Sequence, residues 1–297
     1  MSLLHFEHIS KAFSGVEVLH DINLSIYKGQ IVALLGENGA GKSTLMKILC
    51  GILTDYDGNI ILNGQRIYFK NPRDAENAGI SIIHQELNLV PDLSVAENIF
   101  LGREPVNKMD FIDYKTLEQN ALKALSDFDF PYAVQQKIHH LPIGWQQMVE
   151  IAKALSINAE IIVMDEPTSA LSDSEIDFLF EKIALLQQQG KTIIYISHRM
   201  KEIFAVADEV VILRDGYFVG QYPLNQVDSP LLIQKMIGKN IRETVQAPMI
   251  ESQENAFSMK DVEVNGTDGA MLSNIRFDLK KGEVLGVAGL LGAGRTE

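Results

Sequence analysis

The chain holds one cysteine, Cys50, among its 297 residues. A single thiol excludes an internal disulfide and leaves no cysteine cluster to hold a metal. Cys50 falls in the apolar run 45–53, where a buried, inert thiol is expected. Long hydrophobic runs are missing as well. Apolar stretches last only a few residues, well short of the ~20 needed to span a bilayer. The N-terminus lacks the basic-then-apolar pattern of a secretion signal. Positive charge is also scarce: 26 Lys and Arg stand against 39 Asp and Glu, a net charge of −13. Wrapping nucleic acid requires a basic face to neutralise phosphates, so nucleic acid is not an expected partner. These absences describe a cytosolic protein whose membrane role, if it has one, comes through a partner.

What is present is ordinary globular composition, 46% hydrophobic and 22% charged, in a chain long enough for more than one domain. The chain also repeats itself. Residues 21–44 read DINLSIYKGQIVALLGENGAGKST, and residues 274–297 read NIRFDLKKGEVLGVAGLLGAGRTE. The second stretch is the first displaced by 253 positions without a gap. Gly29 falls on Gly282, Gly36 on Gly289, Gly39 on Gly292 and Gly41 on Gly294. The match runs backwards too, with Leu4-His5-Phe6-Glu7-His8-Ile9 facing Phe257-Ser258-Met259-Lys260-Asp261-Val262. The expected organisation is one whole domain at 1–238, a polar linker at 239–255, and the opening of a second domain at 256–297.

Within the first copy, the runs 31–35, 80–83, 161–164, 192–196 and 210–213 are apolar and β-branched, as buried parallel strands are. The segments 117–125 and 148–155 carry apolar residues at helical spacing. Strands alternating with helices predict an α/β fold with a mostly parallel sheet. Alternating strands near the start, such as 60–62, predict an added antiparallel layer.

Two motifs carry chemistry. Gly36-Glu37-Asn38-Gly39-Ala40-Gly41-Lys42-Ser43-Thr44 fits the phosphate-loop pattern in full, after an apolar strand and before a helical pattern. Its glycines let backbone N–H groups wrap phosphates, and the helix N-terminus adds a positive end. Lys42 is expected to reach the β- and γ-phosphates and the Ser43 hydroxyl to ligate magnesium, so ATP and Mg²⁺ are the expected cofactors. The second motif, Ile161-Ile162-Val163-Met164-Asp165-Glu166, is an apolar strand ending in two carboxylates. Such carboxylates sit beside the crevice at the carboxyl end of a parallel sheet. Asp165 suits the magnesium shell and Glu166 suits polarisation of the attacking water. Alone, an Asp-Glu pair after a strand is usually a solvated turn or a helix cap. The phosphate loop upstream tips the balance to chemistry.

With these motifs in place the whole chain resembles an ABC transporter ATPase, a P-loop NTPase with a helical subdomain. The resemblance implies several further roles. Gln85, in Ile82-Ile83-His84-Gln85-Glu86, matches the glutamine that touches magnesium and water near the transmembrane partner. His198, in Ile196-Ser197-His198-Arg199, matches the histidine that contacts the γ-phosphate, and Phe13 matches the aromatic residue that stacks on adenine. Ser169-Ala170-Leu171-Ser172 matches the D-loop, with the usual aspartate displaced to Asp173. Two copies in one chain, the segment 96–103 and the phrase 196–203 resemble the duplicated ATPases of monosaccharide importers, those of the ribose type in particular. That resemblance implies two permease subunits, a sugar-binding protein acting through them, and a peripheral position on the cytoplasmic face of a bacterial inner membrane.

Two departures stand out. The family's signature segment usually reads Leu-Ser-Gly-Gly-Gln and reaches the γ-phosphate held by the other ATPase copy. Here it reads Leu141-Pro142-Ile143-Gly144-Trp145. Pro142 lacks both a hydroxyl and an N–H, and Trp145 is bulky where a slender polar side chain is usual, although proline does start helices well. In the second copy, Arg295 replaces the position of Lys42 and Glu297 that of Thr44. In a head-to-tail pair both defects fall in one composite site, which predicts one working and one weak site, and poor activity for these residues alone. Two competing readings are a soluble, non-transport ABC ATPase, such as one acting on ribosomes, and a small-molecule kinase. The linker, with Glu243, Glu251 and Glu254 against Lys239 and Arg242, is not basic as the first would have it. The ordered series of Gln85, Asp165-Glu166 and His198 argues against the second.

Overall fold

The computed structural model describes residues 2–85, 87–157, 159–169, 171–238, 254–265 and 271–288. The chain divides into two compact units, Met1–Asn240 and Ile241–Glu297. Most of the expected linker, and the second glycine loop at 289–297, lie outside the described residues.

The first unit opens with a hairpin of long alternating strands, β1 (Leu4–Phe13) and β2 (Val16–Ile26), followed by β3 (Ile31–Leu35) and α1 (Lys42–Leu49). Next come β4 (Asp57–Leu62), β5 (Gln65–Ile67), α2 (Pro72–Asn77) and β6 (Ile80–Ile83). A helical stretch holds α3 (Val95–Ile99), α4 (Tyr114–Ala124) and α5 (Ile143–Ser156). The chain then alternates through β7 (Ile161–Asp165), α6 (Asp173–Gln188), β8 (Thr192–Ile196), α7 (Met200–Val206), β9 (Glu209–Arg214), β10 (Tyr217–Pro223) and α8 (Ser229–Ile237).

All ten strands join one sheet in the order β5-β4-β1-β2-β10-β9-β3-β8-β7-β6. β9, β3, β8, β7 and β6 run parallel, while β5, β4, β1 and β2 form an antiparallel group. The expected antiparallel layer is therefore part of the same sheet. It is joined through a parallel pairing of β10 with β2 at Tyr217 and His20, reinforced by the His20 N–H donating to the Gly216 carbonyl. The parallel strands are buried on both faces, which explains their unbroken apolar runs: every residue of β3 and β8 is buried.

Local signals set the helix boundaries. Asn71 caps α2, with Pro72 at its first turn. Ser94 and Glu97 form a reciprocal capping box on α3. Asp228 starts α8, and Gly238, at φ 74°, ends it in the left-handed conformation. One core lies where α1 meets the β1–β2 hairpin, and includes Phe6, Leu24, Leu45 and Leu49. A second fills the helical stretch and runs onto β7 and β8, with Ile99, Phe128, Val149 and Tyr195. Cys50 is buried in the first, and burial pushes its thiol up to about 12, so it is inert as expected.

The second unit contains, among its described residues, the antiparallel strands β11 (Asn255–Asn265) and β12 (Met271–Lys280).

Candidate nucleotide site

β3 is flanked by β8 and β9 and points its carboxyl end at the glycine loop. The loop returns immediately into α1, whose first residue is Lys42. Two glycines are there because of close approach. A side chain on Gly36 would bring Cβ to 2.4 Å from the Leu213 carbonyl oxygen, and one on Gly41, at φ 97°, to 2.5 Å from Leu19. Gly41 occupies the N-cap of α1 without a side-chain cap, leaving the first N–H groups of the helix to whatever the loop cradles.

Lys42 folds back over this loop, its Nζ donating to the carbonyls of Gly36 at 2.8 Å and Glu37 at 3.0 Å. Burial lowers the pKa of its ammonium, opposed by the charges of Asp165 and Glu166. Asp165 ends β7. Its pKa is raised, first by burial and then by the neighbouring Glu166 carboxylate. A half-buried carboxylate held in this way is stabilised by a cation, which suits a magnesium shell.

Glu166 turns out of β7 in the left-handed region at φ 48°, and its N–H donates to the Ile196 carbonyl of β8. That turn aims its carboxylate at two partners. Gln85 Nε2 donates to one oxygen at 3.1 Å, and His198 Nδ1 lies 3.0 Å from the other. Gln85 follows β6 and His198 follows β8, so the carboxyl ends of four parallel strands converge here, as in other open α/β sheets.

Asn38, Gly39, Gly41, Lys42, Ser43, Thr44, Gln85, Asp165 and Glu166 line one cavity of about 240 Å³. His198 joins them through Glu166. Gly36, Glu37 and Ala40 shape the loop without lining the cavity. Phe13, at the end of β1, stands outside the lining, 42% exposed, with Lys11 Nζ 5.0 Å from its ring centroid. Sequence reasoning missed Val18 and Ile196, which complete the wall. Val18 hides in an alternating strand and Ile196 in an apolar run, and neither type carries a chemical signal.

The signature-like segment differs from its expectation in one respect. Pro142 does start α5, as its N-cap. Trp145 points into an aromatic cluster, with ring centroids 5.6 Å from Phe130, 6.0 Å from Tyr132 and 5.8 Å from Phe178. Its bulk serves packing. Gly144 packs beneath the Glu175 side chain, whose carboxylate caps α6 together with Ser172. Ile143, 48% exposed, is the apolar side chain this segment presents outward. Among the described residues, no helix is long and apolar enough to cross a membrane.

Known proteins with the same pattern agree on the fold. A family model described as ABC transporter matches residues 19–169. The ribose import ATP-binding protein of Caldanaerobacter subterraneus subsp. tengcongensis is 49% identical over 295 residues. That match covers 99% of this chain and 59% of the relative, so the chain spans about three fifths of the curated relative's length. Among solved structures, the ADP conformation of an ATP-binding cassette from an ABC transporter is 25% identical with a TM-score of 0.70, covering 80% of this chain and all of that one. A Clostridium perfringens component of the ABC transporter complex cbiONQ is 25% identical with a TM-score of 0.67, over 80% of this chain and 92% of that one.

Proposed function

We propose a function on the premise that this chain belongs to the ABC transporter family. Its first unit binds and hydrolyses MgATP in the cavity between residues 36–44 and the Asp165–Glu166 pair. The backbone N–H groups of the loop and of the α1 N-terminus hold the phosphates, and Lys42 adds its charge. Ser43, Gln85 and Asp165 would hold Mg²⁺, whose contribution when bound is to neutralise charge on the phosphate oxygens. Phe13 offers a face for adenine. Glu166 orients the attacking water, and His198 and Gln85 fix the direction of its carboxylate. The observation that carries this reading is that one carboxylate, at the mouth of a cavity lined by Lys42 and Ser43, meets both Gln85 and His198.

The test is Glu166→Gln in the full-length protein. MgATP binding should persist while turnover falls by roughly 10²- to 10⁴-fold, the usual range for losing a positioned proton acceptor. Unchanged turnover would remove Glu166 from that role.

The work done by hydrolysis is import of a monosaccharide. Ribose is the substrate favoured by the name of the 49%-identical relative. The protein would sit on the cytoplasmic face of the inner membrane under two permease subunits, fed by a sugar-binding protein. A groove of about 510 Å³ beside Gln85 supports a partner there; His84, Asn88, Arg103, Glu150 and Lys153 are among its lining residues. Residues 239–255 act as a linker, and 256–297 begin a second ATPase domain, which supports a head-to-tail pair with one strong and one weak site. In such a pair the second domain carries an intact signature resembling Leu-Ser-Gly-Gly. Reading the full-length sequence tests that, and a degenerate segment there would sink the asymmetric pair.

A further inference from the structure

Glu202, in the first turn of α7, is only 5% exposed and has none of the roles assigned above. One of its oxygens accepts from Thr168 Oγ1 at 2.8 Å and Arg199 Nη1 at 3.2 Å. The other accepts from Ser197 Oγ at 2.7 Å and the Tyr195 hydroxyl at 3.0 Å. Four donors on two oxygens fill the acceptor capacity of a carboxylate. A buried group so fully satisfied specifies one arrangement of its surroundings.

The origin of the donors is the informative part. Ser197 and Arg199 stand on either side of His198. Thr168, itself 2% exposed, lies two residues beyond Glu166. Tyr195 belongs to the fully buried interior of β8 and anchors the carboxylate to the sheet. β7 and β8 stop at Asp165 and Ile196, so the loops carrying Glu166 and His198 both leave regular structure just where their positions matter. A non-glycine residue in the left-handed region persists only where its surroundings over-determine it, and Glu166 is such a residue.

We propose that Glu202 is a positioning residue for ATP cleavage: its carboxylate clamps the loop bearing Glu166 to the loop bearing His198. This rests on the reading of Glu166 and His198 given above. The clamp would hold the 3.0 Å contact between those two side chains while touching neither. Burial, followed by the Glu202 charge and hydrogen bond, pushes the Tyr195 phenol far above its ordinary range, so Tyr195 remains a donor to the clamp.

Removing Glu202 itself would strand the buried hydroxyls of Thr168, Tyr195 and Ser197 and risks the fold, so the test deletes donors one at a time. The measurements are single-turnover MgATP cleavage by the full-length protein in excess over nucleotide, and MgATP affinity, for Thr168→Val and Tyr195→Phe, with Glu166→Gln as reference. Thr168→Val cuts the tie to the Glu166 loop and should slow cleavage by about ten- to a hundredfold, the scale of a small misplacement. Affinity should stay within about twofold, because a positioning loss falls on the chemical step. Tyr195→Phe removes one bond to the same carboxylate from the strand interior; it should lower the melting temperature and leave cleavage near the parent rate. Equal rate losses in the two variants, or none in either, would overturn the clamp. If Glu166→Gln cleaves as fast as the parent, the functional reading fails instead, and the two failures are thereby told apart.

Discussion

In β1–β2, Leu4 faces Ile26, Phe6 faces Leu24 and Ile9 faces Ile22; in β11–β12, 253 positions later, Phe257 faces Leu279, Met259 faces Phe277 and Val262 faces Ile275. The irregularities recur with the pairs. His8 and Asp21 adopt φ of 55° and 50°, and their counterparts Asp261 and Asn274 adopt 53° and 60°. Burial does not recur. Leu4, Phe6, Ile9 and Ile22 are fully buried, whereas Phe257 is 49% exposed and no described side chain of β11–β12 is buried. The difference separates two kinds of information. Register and bulges are set within the hairpin, by alternation and by the few residues that turn left-handed. Burial is supplied by other elements, which in the first unit are α1, β4 and the parallel strands. A hairpin by itself is marginal in water.

The sharpest way to break this comparison uses the same residue at the same register position. In a protein of these 297 residues, Ile22→Ala should cost about 2–5 kcal/mol, the range for emptying a packed site, while Ile275→Ala should cost less than about 1 kcal/mol. Denaturant unfolding of each variant checks both. Equal costs would mean that the second hairpin is packed as the first is. A somewhat smaller loss is expected at Gly58, in the strand that β1 gains on its other side. A Cβ there would fall 2.3 Å from the His8 carbonyl at φ 98°, so Gly58→Ala should destabilise by about 1–3 kcal/mol.

How much could be read in advance follows the same division. The runs 31–35, 80–83 and 192–196 are strands with those bounds, because strands buried on both faces have no polar alternation to blur them. The phosphate loop and the Asp165–Glu166 pair were legible because close backbone approach demands glycine and cation chemistry demands carboxylate. The order of strands was not legible, since pairing depends on crossovers and leaves no mark within a strand. β10 was missed: its exposure never alternates cleanly, and Gly220 sits at a register shift. The packing of Trp145 was not legible, because its partners Phe130, Tyr132 and Phe178 are up to 33 residues away in sequence. Nothing in the sequence pattern singles out Glu202. Only the folded chain shows four donors around it.

The smallest effect concerns the left-handed residues. A non-glycine residue there carries roughly 1 kcal/mol of strain, less for Asn and Asp. Asn274→Gly should therefore stabilise the second hairpin slightly, by less than about 1 kcal/mol. Asp21→Gly relieves the same strain but loses more, because the Asp21 carboxylate meets His8 Nδ1 at 2.6 Å and accepts from Asn23 Nδ2 at 3.2 Å. Those two hydrogen bonds, His8 first, hold the Asp21 carboxyl below its ordinary pKa. A carboxyl depressed on folding contributes stability above its unfolded pKa and loses it as pH falls through the folded value. Asp21→Gly should thus look unfavourable at neutral pH, and should approach the behaviour of Asn274→Gly as acid protonates Asp21 in the parent. Unfolding midpoints of both variants between neutral and acid pH check this. A pH-independent gap would mean that the side-chain bonds of Asp21 contribute nothing, leaving backbone strain as the whole difference.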